Sequence, residues 1–277
     1  MKVPRHIVDA RREKLAALID RHRYLPVSEL CRQLGVSEAT ARRDLAALVG
    51  MNKVKRTHGG ALAEFNDRFL SFKERQAASS ASKAAIARAA VRFFEPGGLY
   101  FLDSGTTIFA LAEVFCANPI SPVTIVTSNI PVGELLSAVP EVSVFQLAGQ
   151  ILNRQSVLLG EMACRSLEFW KFDIAFLSAE AANSEGIWNT QEIIVRQQIA
   201  AIQRSARVLY CVDRDKIGAQ APFLLQAWED VDCLLTDAPS GLLEAKQIPL
   251  VRTLGIRCSS LPPENPPVSP AFPVHFL

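Results

Sequence analysis

Three stretches in which apolar residues recur at helical spacing occupy the first fifty positions, at residues 11–22, 27–34 and 37–49. Gly35 lies between the second and third stretches, where a tight turn is expected because glycine adopts a positive φ without steric cost. Ser37 stands at the position of an N-cap, whose hydroxyl can accept a hydrogen bond from the first turn of the third helix. Two short helices joined by a turn that contains glycine predict a helix-turn-helix.

From Lys83 onward the pattern changes to short apolar runs that alternate with longer amphipathic stretches. Apolar runs of this kind, separated by helices, are typical of parallel strands that are covered on both faces. We therefore predict an α/β body with a mainly parallel sheet. The predicted strands are residues 99–103, 123–128, 142–149, 173–178, 207–213 and 232–237, and the predicted helices include residues 106–115 and 190–202.

Changes in composition divide the chain into segments. Residues 52–62 predict a short basic hairpin, the wing of a winged helix, and residues 64–82 are polar and predict a linker. The last residues contain too many prolines to fold. We predict a small N-terminal winged helix-turn-helix domain at residues 1–62, a linker at residues 63–82, an effector-sensing α/β domain at residues 83–260 and a disordered Pro-rich tail at residues 261–277.

The net charge of +2 conceals a strong asymmetry between the N-terminal segment and the rest of the chain. Residues 1–60 contain 13 Lys and Arg against 6 Asp and Glu, a formal charge of +7, so the remaining residues carry −5. A basic segment attached to an acidic body indicates a head that binds a polyanion and a body with a different task.

The third predicted helix has the features of a recognition helix that binds DNA. Its apolar residues Ala41, Leu45 and Leu48 can pack against the preceding helix, which leaves hydroxyl and charged side chains facing outward near the N-terminus. Arginine can bind guanine through two hydrogen bonds or neutralise a phosphate, although a solvated charged face is the alternative for a single Arg-Arg pair. We predict contacts with double-stranded DNA by Ser37, Glu38, Thr40, Arg42 and Arg43 of this helix and by Lys55, Arg56 and His58 of the hairpin.

Polar residues follow five of the predicted strands, at 103–107, 127–129, 148–150, 178–180 and 213–216. Ligands bind parallel sheets at the carboxyl ends of the strands, and DSGTT at 103–107 offers amide groups at a helix N-terminus to an anion. Ordinary turn and cap chemistry is the alternative for any one of these loops. We predict that an effector with a phosphate-type anion contacts Lys83, Asp103, Ser104, Gly105, Thr106, Thr107, Ser128, Asn129, Glu180, Asp213 and Lys216.

The sequence lacks the patterns of several other kinds of site. The six cysteines are scattered and form no Cys-x-x-Cys, so we predict reduced thiols and no metal site. Neither G-x-G-x-x-G nor G-x-x-x-x-G-K occurs, which argues against a dinucleotide or a P-loop nucleotide, and we predict no cofactor. The charged residues 1–23 and the lack of an 18-residue apolar run predict a cytoplasmic protein without a membrane partner.

The head resembles the DNA-binding head of the DeoR family of bacterial transcriptional regulators. The resemblance rests on LPVSELCRQLGVSEATARRDLAAL followed by VKRTHGGAL. One departure is Pro26, where the family more often has a Ser or Thr helix cap. The residues that match the family motifs VS-x-x-T-x-RRDL and R-x-HGGA are Ser37, Thr40, Arg42, Arg43, Asp44, Leu45, Arg56, His58, Gly59, Gly60 and Ala61.

The resemblance extends over residues 83–255 and implies that the body resembles ribose-5-phosphate isomerase in fold and binds a phosphorylated sugar or related metabolite as effector. Three departures lie around the predicted pocket, where LAGQ, TSN and Arg196-Gln197 replace the more usual LGG, TN and Lys-Arg, so the ligand stays open. The residues that match K-x-x-IA, D-x-GTT and the strand-end Asp with its following Lys are Lys83, Ile86, Ala87, Asp103, Gly105, Thr106, Thr107, Asp213 and Lys216.

Together these features predict a transcriptional regulator, a repressor of sugar metabolism genes, that binds operator DNA as a homo-oligomer, either a dimer or a tetramer. Paired heads are expected because one head reads only a few base pairs. The alternative is a sugar-phosphate isomerase that carries a DNA-binding appendage. The isomerase family has a cluster of acidic residues at the strand end that matches SAEA, where this chain has only Glu180, so we predict sensing and no catalytic residues.

Overall fold

The structure is a computed structural model that describes residues 4–22, 24–51, 54–57, 60–63, 71–250 and 253–255. His58, residues 64–70 of the predicted linker and the tail predicted at residues 261–277 lie outside the described residues. Within the described ranges, no helix is both long enough and apolar enough to cross a membrane.

The N-terminal head consists of three helices and a small antiparallel sheet. The apolar residues at helical spacing meet in one core, to which the helices contribute Leu15, Leu30 and Leu45, each at most 1% exposed. The elements of the head are α1 (Arg5–His22), β1 (Tyr24–Pro26), α2 (Val27–Leu34), α3 (Glu38–Gly50), β2 (Val54–Thr57) and β3 (Gly60–Ala63).

Strand β1 is an element that the hydrophobic pattern does not predict. It pairs antiparallel with β3, with Leu25 opposite Ala61 and Pro26 opposite Gly60, and the sheet has the order β1-β3-β2. Pro26 is therefore the last residue of a strand, and α2 begins directly after it without a side-chain cap. The predicted helix-turn-helix is present, and Gly35 in its turn has a φ of 64°, which favours glycine.

A buried carboxylate joins α1 to α3. Asp44 is 2% exposed, and its oxygens accept hydrogen bonds from Nε of Arg11 at 2.6 Å and from Nε of Arg12 at 3.0 Å. Burial alone would raise the pKa of Asp44, but the hydrogen bonds and charges of the two guanidinium groups outweigh it and hold that pKa below its ordinary value. Asp44 thus belongs to the interior of the head and not to its outward surface.

Two helices, α4 (Phe72–Ala77) and α5 (Ser80–Ala90), begin within the stretch that the sequence predicts as a linker. Helix α4 starts with a capping box formed by Ser71 and Glu74. Phe72 is buried, and its ring packs edge-to-face on a phenylalanine of the body with 5.5 Å between the ring centroids. The serines of this stretch are helix-start residues as well as polar ones, so its composition alone does not distinguish a linker from short helices.

The body alternates strands and helices as the sequence predicts. Its elements are β4 (Leu99–Leu102), α6 (Thr106–Ala117), β5 (Val123–Thr127), α7 (Ile130–Leu136), β6 (Val142–Gln146), β7 (Gln150–Leu152), β8 (Val157–Leu159), α8 (Glu161–Leu167), β9 (Phe172–Leu177), β10 (Ala181–Asn183), β11 (Gly186–Asn189), α9 (Glu192–Ile202), β12 (Ser205–Cys211), β13 (Phe223–Ala227), β14 (Cys233–Thr236), α10 (Ser240–Ala245) and β15 (Thr253–Gly255). Seven strands form one sheet in the order β15-β14-β12-β9-β4-β5-β6, and every neighbouring pair is parallel. The prediction of a mainly parallel sheet is confirmed.

Alternate residues of the central strands face two apolar layers. Tyr100 and Leu102 pack toward α5, α6 and α7, whereas Phe101 between them packs toward α8, α9 and α10. The second layer also contains an antiparallel sheet of β10, β11 and β13. Each of the six predicted strands is present, with ends that differ by up to three residues.

The order of the strands in the sheet reverses between β4 and β9, which are neighbours although β5 and β6 lie between them along the chain. Strands β5 and β6 extend the sheet on the side of β4. Strands β12, β14 and β15 extend it on the side of β9. A reversal of this kind leaves a crevice at the carboxyl ends of the strands, where α/β proteins bind their ligands.

Candidate functional site

The described residues present two candidate sites, the outer surface of α3 in the head and a cavity in the body. The inner side of α3 is buried and consists of Ala41, Asp44, Leu45 and Leu48. The outer side is exposed or half-exposed and carries the predicted DNA contacts Ser37, Glu38, Thr40, Arg42 and Arg43.

Ser37 caps α3, as the sequence predicts. Its backbone is extended, with φ −68° and ψ 156°, and its Oγ accepts a hydrogen bond from the amide of Thr40 at 3.4 Å. The hydroxyl oxygens of Ser37 and Thr40 lie 3.0 Å apart. Both hydroxyls are held at the N-terminus of α3, which is the end of a recognition helix that approaches base edges.

The two adjacent arginines of α3 differ in their surroundings. Arg42 donates to the carboxylate of Glu38, with Nε 2.8 Å from Oε1, in an exposed ion pair. Arg43 is exposed, and it makes no hydrogen bond or ion pair with any other residue that the structure describes. Arg43 can therefore bind a base or a phosphate directly, whereas Arg42 must first exchange its contact with Glu38.

The hairpin of β2 and β3 follows α3 and packs beside it. In its antiparallel register Lys55 lies opposite Leu62 and Arg56 lies opposite Ala61. This backbone arrangement matches the wing that the sequence predicts, with both basic residues on the first strand. The DNA contacts assigned to Lys55 and Arg56 stay predictions.

A cavity of about 440 Å³ lies at the carboxyl ends of β4, β9 and β12, beside the reversal of strand order. Its volume falls within the range of small-molecule sites. Eight of the eleven residues predicted to contact an effector line it, namely Lys83, Ser104, Gly105, Thr106, Thr107, Glu180, Asp213 and Lys216.

The first turn of α6 forms one wall of the cavity. The hydrogen bond from the amide of Phe109 to the carbonyl of Gly105 (3.0 Å) starts the helix, so the amides of Thr106, Thr107 and Ile108 point out of its end. Thr106 and Thr107 are each 6% exposed and line the cavity. Unpaired amides and the positive end of the helix dipole favour an anion at this wall.

Gly105 lines the cavity and also allows two elements of the body to pack closely. Its φ of −72° is accessible to any residue. A Cβ at this position would lie 2.4 Å from both Cβ and Oγ of Ser178 at the carboxyl end of β9. The missing side chain therefore allows α6 to approach β9.

Asp103 does not line the cavity, contrary to the prediction, and instead joins three elements of the body. Its Oδ2 accepts hydrogen bonds from the amide of Ser178 at 3.0 Å, from Ser178 Oγ at 2.9 Å and from Gln198 Nε2 at 2.8 Å. Asp103 is 1% exposed. These hydrogen bonds hold Ser178 and α9 in position, so the buried Asp103 supports the cavity from behind and does not line it.

Ser128 and Asn129 were also expected to contact the effector, but both are fully buried and neither lines the cavity. The side chain of Asn129 caps α7 by accepting a hydrogen bond from the amide of Val132, and it donates to the carbonyl of Ser104 at 3.1 Å. The strand-end argument is wrong at these two positions because the loop after β5 supports the DSGTT loop from behind. Of these groups, the hydroxyl of Ser128 has no hydrogen-bond partner among the described residues.

The cavity contains both cations and carboxylates. Lys216 Nζ donates to the carboxylate of Glu180 in a half-buried ion pair. Burial raises the pKa of the Asp213 carboxyl, although the neighbouring lysine charges oppose the shift. Asp215 accepts a hydrogen bond from Ser79 Oγ at 2.5 Å. Cations suit an anionic group of a ligand, and carboxylates are acceptors for its hydroxyl groups.

Several cavity residues are outside the predicted set. Arg75 and Ser79 come from the stretch predicted as a linker, and Gln155 follows the short strand β7. Thr190 and Gln191 directly precede α9, where the chemistry of a helix start is the signal that could have indicated them. Strand-end reasoning finds only the residues at one edge of the parallel sheet, and these side chains reach the cavity from other elements.

Two models of protein families match the chain. A DeoR-like helix-turn-helix domain matches residues 11–67, and the DeoR C terminal sensor domain matches residues 78–238.

Curated relatives match along most of their length. An HTH-type transcriptional regulator of Bacillus subtilis, YulB, is 29% identical over 238 residues, which cover 85% of this chain and 90% of the relative. The glycerol-3-phosphate regulon repressor of Escherichia coli is 28% identical over 230 residues, which cover 83% of this chain and 90% of the relative. Among solved structures, ribose 5 phosphate isomerase A from Neisseria gonorrhoeae aligns with 49% of this chain and 52% of its own at 18% identity, with a TM-score of 0.36.

Proposed function

Because this chain belongs to the DeoR family of transcriptional regulators, we propose that it represses genes of sugar metabolism and that a phosphorylated sugar or a related metabolite controls its binding to operator DNA. One observation carries this proposal. The chain that exposes Ser37, Thr40 and Arg43 on a recognition helix also encloses a cavity of about 440 Å³ at the N-terminus of α6. A DNA-binding surface and a small-molecule site in one chain are the two components of a ligand-controlled regulator.

On the DNA side, α3 enters the major groove and the β2–β3 hairpin lies over the sugar–phosphate backbone. Arg43 contacts a base or a phosphate, and the charge of +7 on residues 1–60 supplies affinity that does not depend on sequence. One head covers only a few base pairs, so the protein acts as a dimer or tetramer whose heads bind paired half-sites. We propose that the protein acts in the cytoplasm, where bacterial operator DNA lies.

On the effector side, the amides of the first turn of α6 hold the phosphate group, with Lys83 and Lys216 supplying positive charge. Glu180 and Asp213 accept hydrogen bonds from hydroxyl groups of the ligand. The name of the Escherichia coli relative, a glycerol-3-phosphate regulon repressor, supports a phosphorylated polyol or sugar as the class of effector.

We assign the cavity to sensing rather than to catalysis. Aldose–ketose isomerisation requires a carboxylate base that is free to reach a substrate carbon. The strand end after β9 has a single acidic residue, Glu180, where the isomerase family has a cluster of acidic residues. Assays with pentose and hexose phosphates test this assignment, and we expect no turnover. Isomerisation of ribose 5-phosphate that Glu180→Gln abolishes would make the protein an enzyme instead.

Thermal unfolding with matched pairs of compounds tests the effector class. Each phosphorylated sugar is compared with its unphosphorylated counterpart, because the proposal requires the phosphate. A compound at 100 times its Kd stabilises the folded state by about 2.7 kcal/mol. We expect at least one phosphorylated compound to raise the Tm and to change the affinity for an operator selected from random-sequence DNA. Equal shifts from phosphorylated and unphosphorylated compounds would contradict the assignment.

A further inference from the structure

One lysine connects the cavity to the helix that precedes the body. Lys83 lies on α5 with only 6% of its surface exposed, and it lines the cavity. Its Nζ donates hydrogen bonds to the main-chain carbonyls of Arg75 and Ala78, at the C-terminal end of α4. A buried ammonium therefore satisfies carbonyl groups that the end of a helix leaves without helical partners.

Besides the Lys83 ammonium, the described contacts around α4 include the hydrogen bond from Ser79 Oγ to Asp215, directly after the helix. At its N-terminal end, Phe72 packs against Phe109 of α6. A second cavity of about 430 Å³ lies between α4, α5 and α6, and its lining includes Lys73 and Gln76 of α4. Lys83 itself lines both cavities. Helix α4 thus has open space on one side, and the Lys83 ammonium secures its C-terminal end on the other.

The same ammonium is one of the charges that an anion in the cavity would attract. Lys83 lines the cavity together with Thr106 and Thr107 of the α6 N-terminus. An ammonium has three donors, and the two α4 carbonyls engage two of them, which leaves one that can donate to an anion in the cavity. A doubly charged phosphate is a stronger acceptor than a neutral carbonyl, so it competes with α4 for the ammonium.

We propose that Lys83 couples the two parts of the protein: an anion in the cavity withdraws the ammonium from the Arg75 and Ala78 carbonyls and thereby releases the C-terminal end of α4. This inference rests on the anion-binding cavity of the proposed function. It assigns the regulation of that site to a two-state element, with α4 tethered when the cavity is empty and released when it is filled. Because α4 lies on the chain between head and body, its release changes the constraint on the head.

Hydrogen exchange of the full-length protein, followed by mass spectrometry, measures both ends of the coupling. Inorganic phosphate is the probe, compared with chloride at equal ionic strength. Phosphate is expected to slow exchange of the amides at residues 106–108 and to speed exchange in residues 72–79. A hydrogen bond to a charged group corresponds to a factor of about ten in a local opening equilibrium, so we expect roughly tenfold faster exchange in α4.

Two variants separate the tether from ligand affinity. Lys83→Met removes the ammonium and keeps an apolar stem, so exchange in residues 72–79 should be about tenfold faster without phosphate, and phosphate should add no further change. Lys216→Met is the matched control, since Lys216 lines the same cavity but donates to Glu180 and not to α4. It should weaken phosphate binding and leave α4 exchange without phosphate as in the unmodified protein.

The outcomes distinguish the coupling from the anion site. Slower exchange at residues 106–108 with unchanged or slower exchange in α4 would refute the coupling and leave the anion site intact. Unchanged α4 exchange in Lys83→Met, with β4 and β9 still protected as evidence of folding, would refute the tether. If phosphate changes hydrogen exchange nowhere in the chain, both the anion site and the coupling are refuted.

Discussion

Gly105 and Ser178 approach each other so closely that position 105 has no room for a side chain. A Cβ there would lie 2.4 Å from Cβ and Oγ of Ser178, which is closer than such contacts occur. We expect Gly105→Ala to destabilise the protein by about 1–3 kcal/mol, the usual cost of an overpacked core, rather than to act through the effector alone. Urea unfolding measures this change as a lower midpoint.

The partner residue provides the control for Gly105→Ala. In the Ser178→Gly background the clashing atoms are absent, so adding Gly105→Ala should cost less than about 0.5 kcal/mol beyond Ser178→Gly alone. Equal costs of Gly105→Ala in both backgrounds would show that Ser178 is not the cause. This experiment also tests whether the glycine serves packing or ligand approach.

Asp44 is expected to stabilise the head in a way that depends on pH. Asp44→Asn removes the charge that Arg11 and Arg12 bind, and we expect a loss of roughly 1.5–3 kcal/mol at neutral pH. The folded-state pKa is lower than the unfolded one, so this stabilisation is present above about pH 4 and is lost as the pH falls through the folded-state value. Measurements of the unfolding of the head between pH 2 and 7 check the size of the loss and its dependence on pH.

An exposed ion pair of the same helix supplies the comparison for Asp44. Glu38→Gln removes the partner of Arg42, whose side chain is 48% exposed, and should change the stability by less than about 0.5 kcal/mol. If Asp44→Asn and Glu38→Gln cost the same, burial of the Asp44 pair does not matter. The cost of Asp44→Asn should also shrink in acid, because this variant removes a carboxyl whose pKa lies below its ordinary value.

At the scale of elements, α3 presents two arginines whose contributions to DNA binding should differ. Arg43→Ala is expected to weaken operator binding by roughly 1–3 kcal/mol if Arg43 reads a base. Arg42→Ala should cost less, because Arg42 gives up its contact with Glu38 before it can bind DNA. Gel shifts with a selected operator and a scrambled duplex measure both variants. Equal losses on both duplexes for Arg43→Ala would show that it contacts phosphate only.

The wing should contribute affinity without sequence preference. Arg56 lies on β2, the first strand of the hairpin, where a basic side chain is expected to contact the DNA backbone. Arg56→Ala should weaken binding to every duplex alike and reduce the slope of log K against log salt by about one unit. A salt titration on operator and scrambled DNA checks this. Loss of affinity at one base position alone would mean that the wing reads sequence.

Long periodic elements could be predicted from the sequence, whereas several of the shortest ones could not. Helix α3 spans Glu38–Gly50 where the pattern predicts residues 37–49, because its apolar face repeats over several turns. Strands β7 and β10 have three residues each, too few for a period to be recognised. Helix α4 escapes prediction because its serine cap and polar surface have the composition of a linker.

The candidate cavity was predictable where the parallel sheet itself determines it. Residues after β4, β9 and β12 line it, since the carboxyl ends of parallel strands meet at one edge. The rule does not separate side chains that face the cavity from those that support it, as Asp103 and Asn129 show. The rule does not predict Arg75, because this residue comes from α4 and not from a strand end.

At the scale of the whole molecule, the proposed binding by paired heads predicts a DNA affinity that depends on the spacing of half-sites. Inserting about 5 base pairs between the half-sites of a selected operator places them on opposite faces of the duplex and should weaken binding strongly. Inserting about 10 base pairs returns the half-sites to the same face of the duplex and should recover part of the affinity. A single half-site is the reference. Affinity that is independent of spacing would show that the heads act singly.

The spread of the cavity residues along the chain, from α5 to the loop after β12, also sets an order in time. The described elements of the head end at Ala63 and pair only with one another, so the head can fold once this segment has left the ribosome. The wall of the cavity that contains Asp213 and Lys216 is synthesised roughly 8–30 s later, at about 5–20 residues per second. A newly made chain therefore acquires its helix-turn-helix before it can enclose a ligand, and sensitivity to the ligand is the last property that synthesis adds.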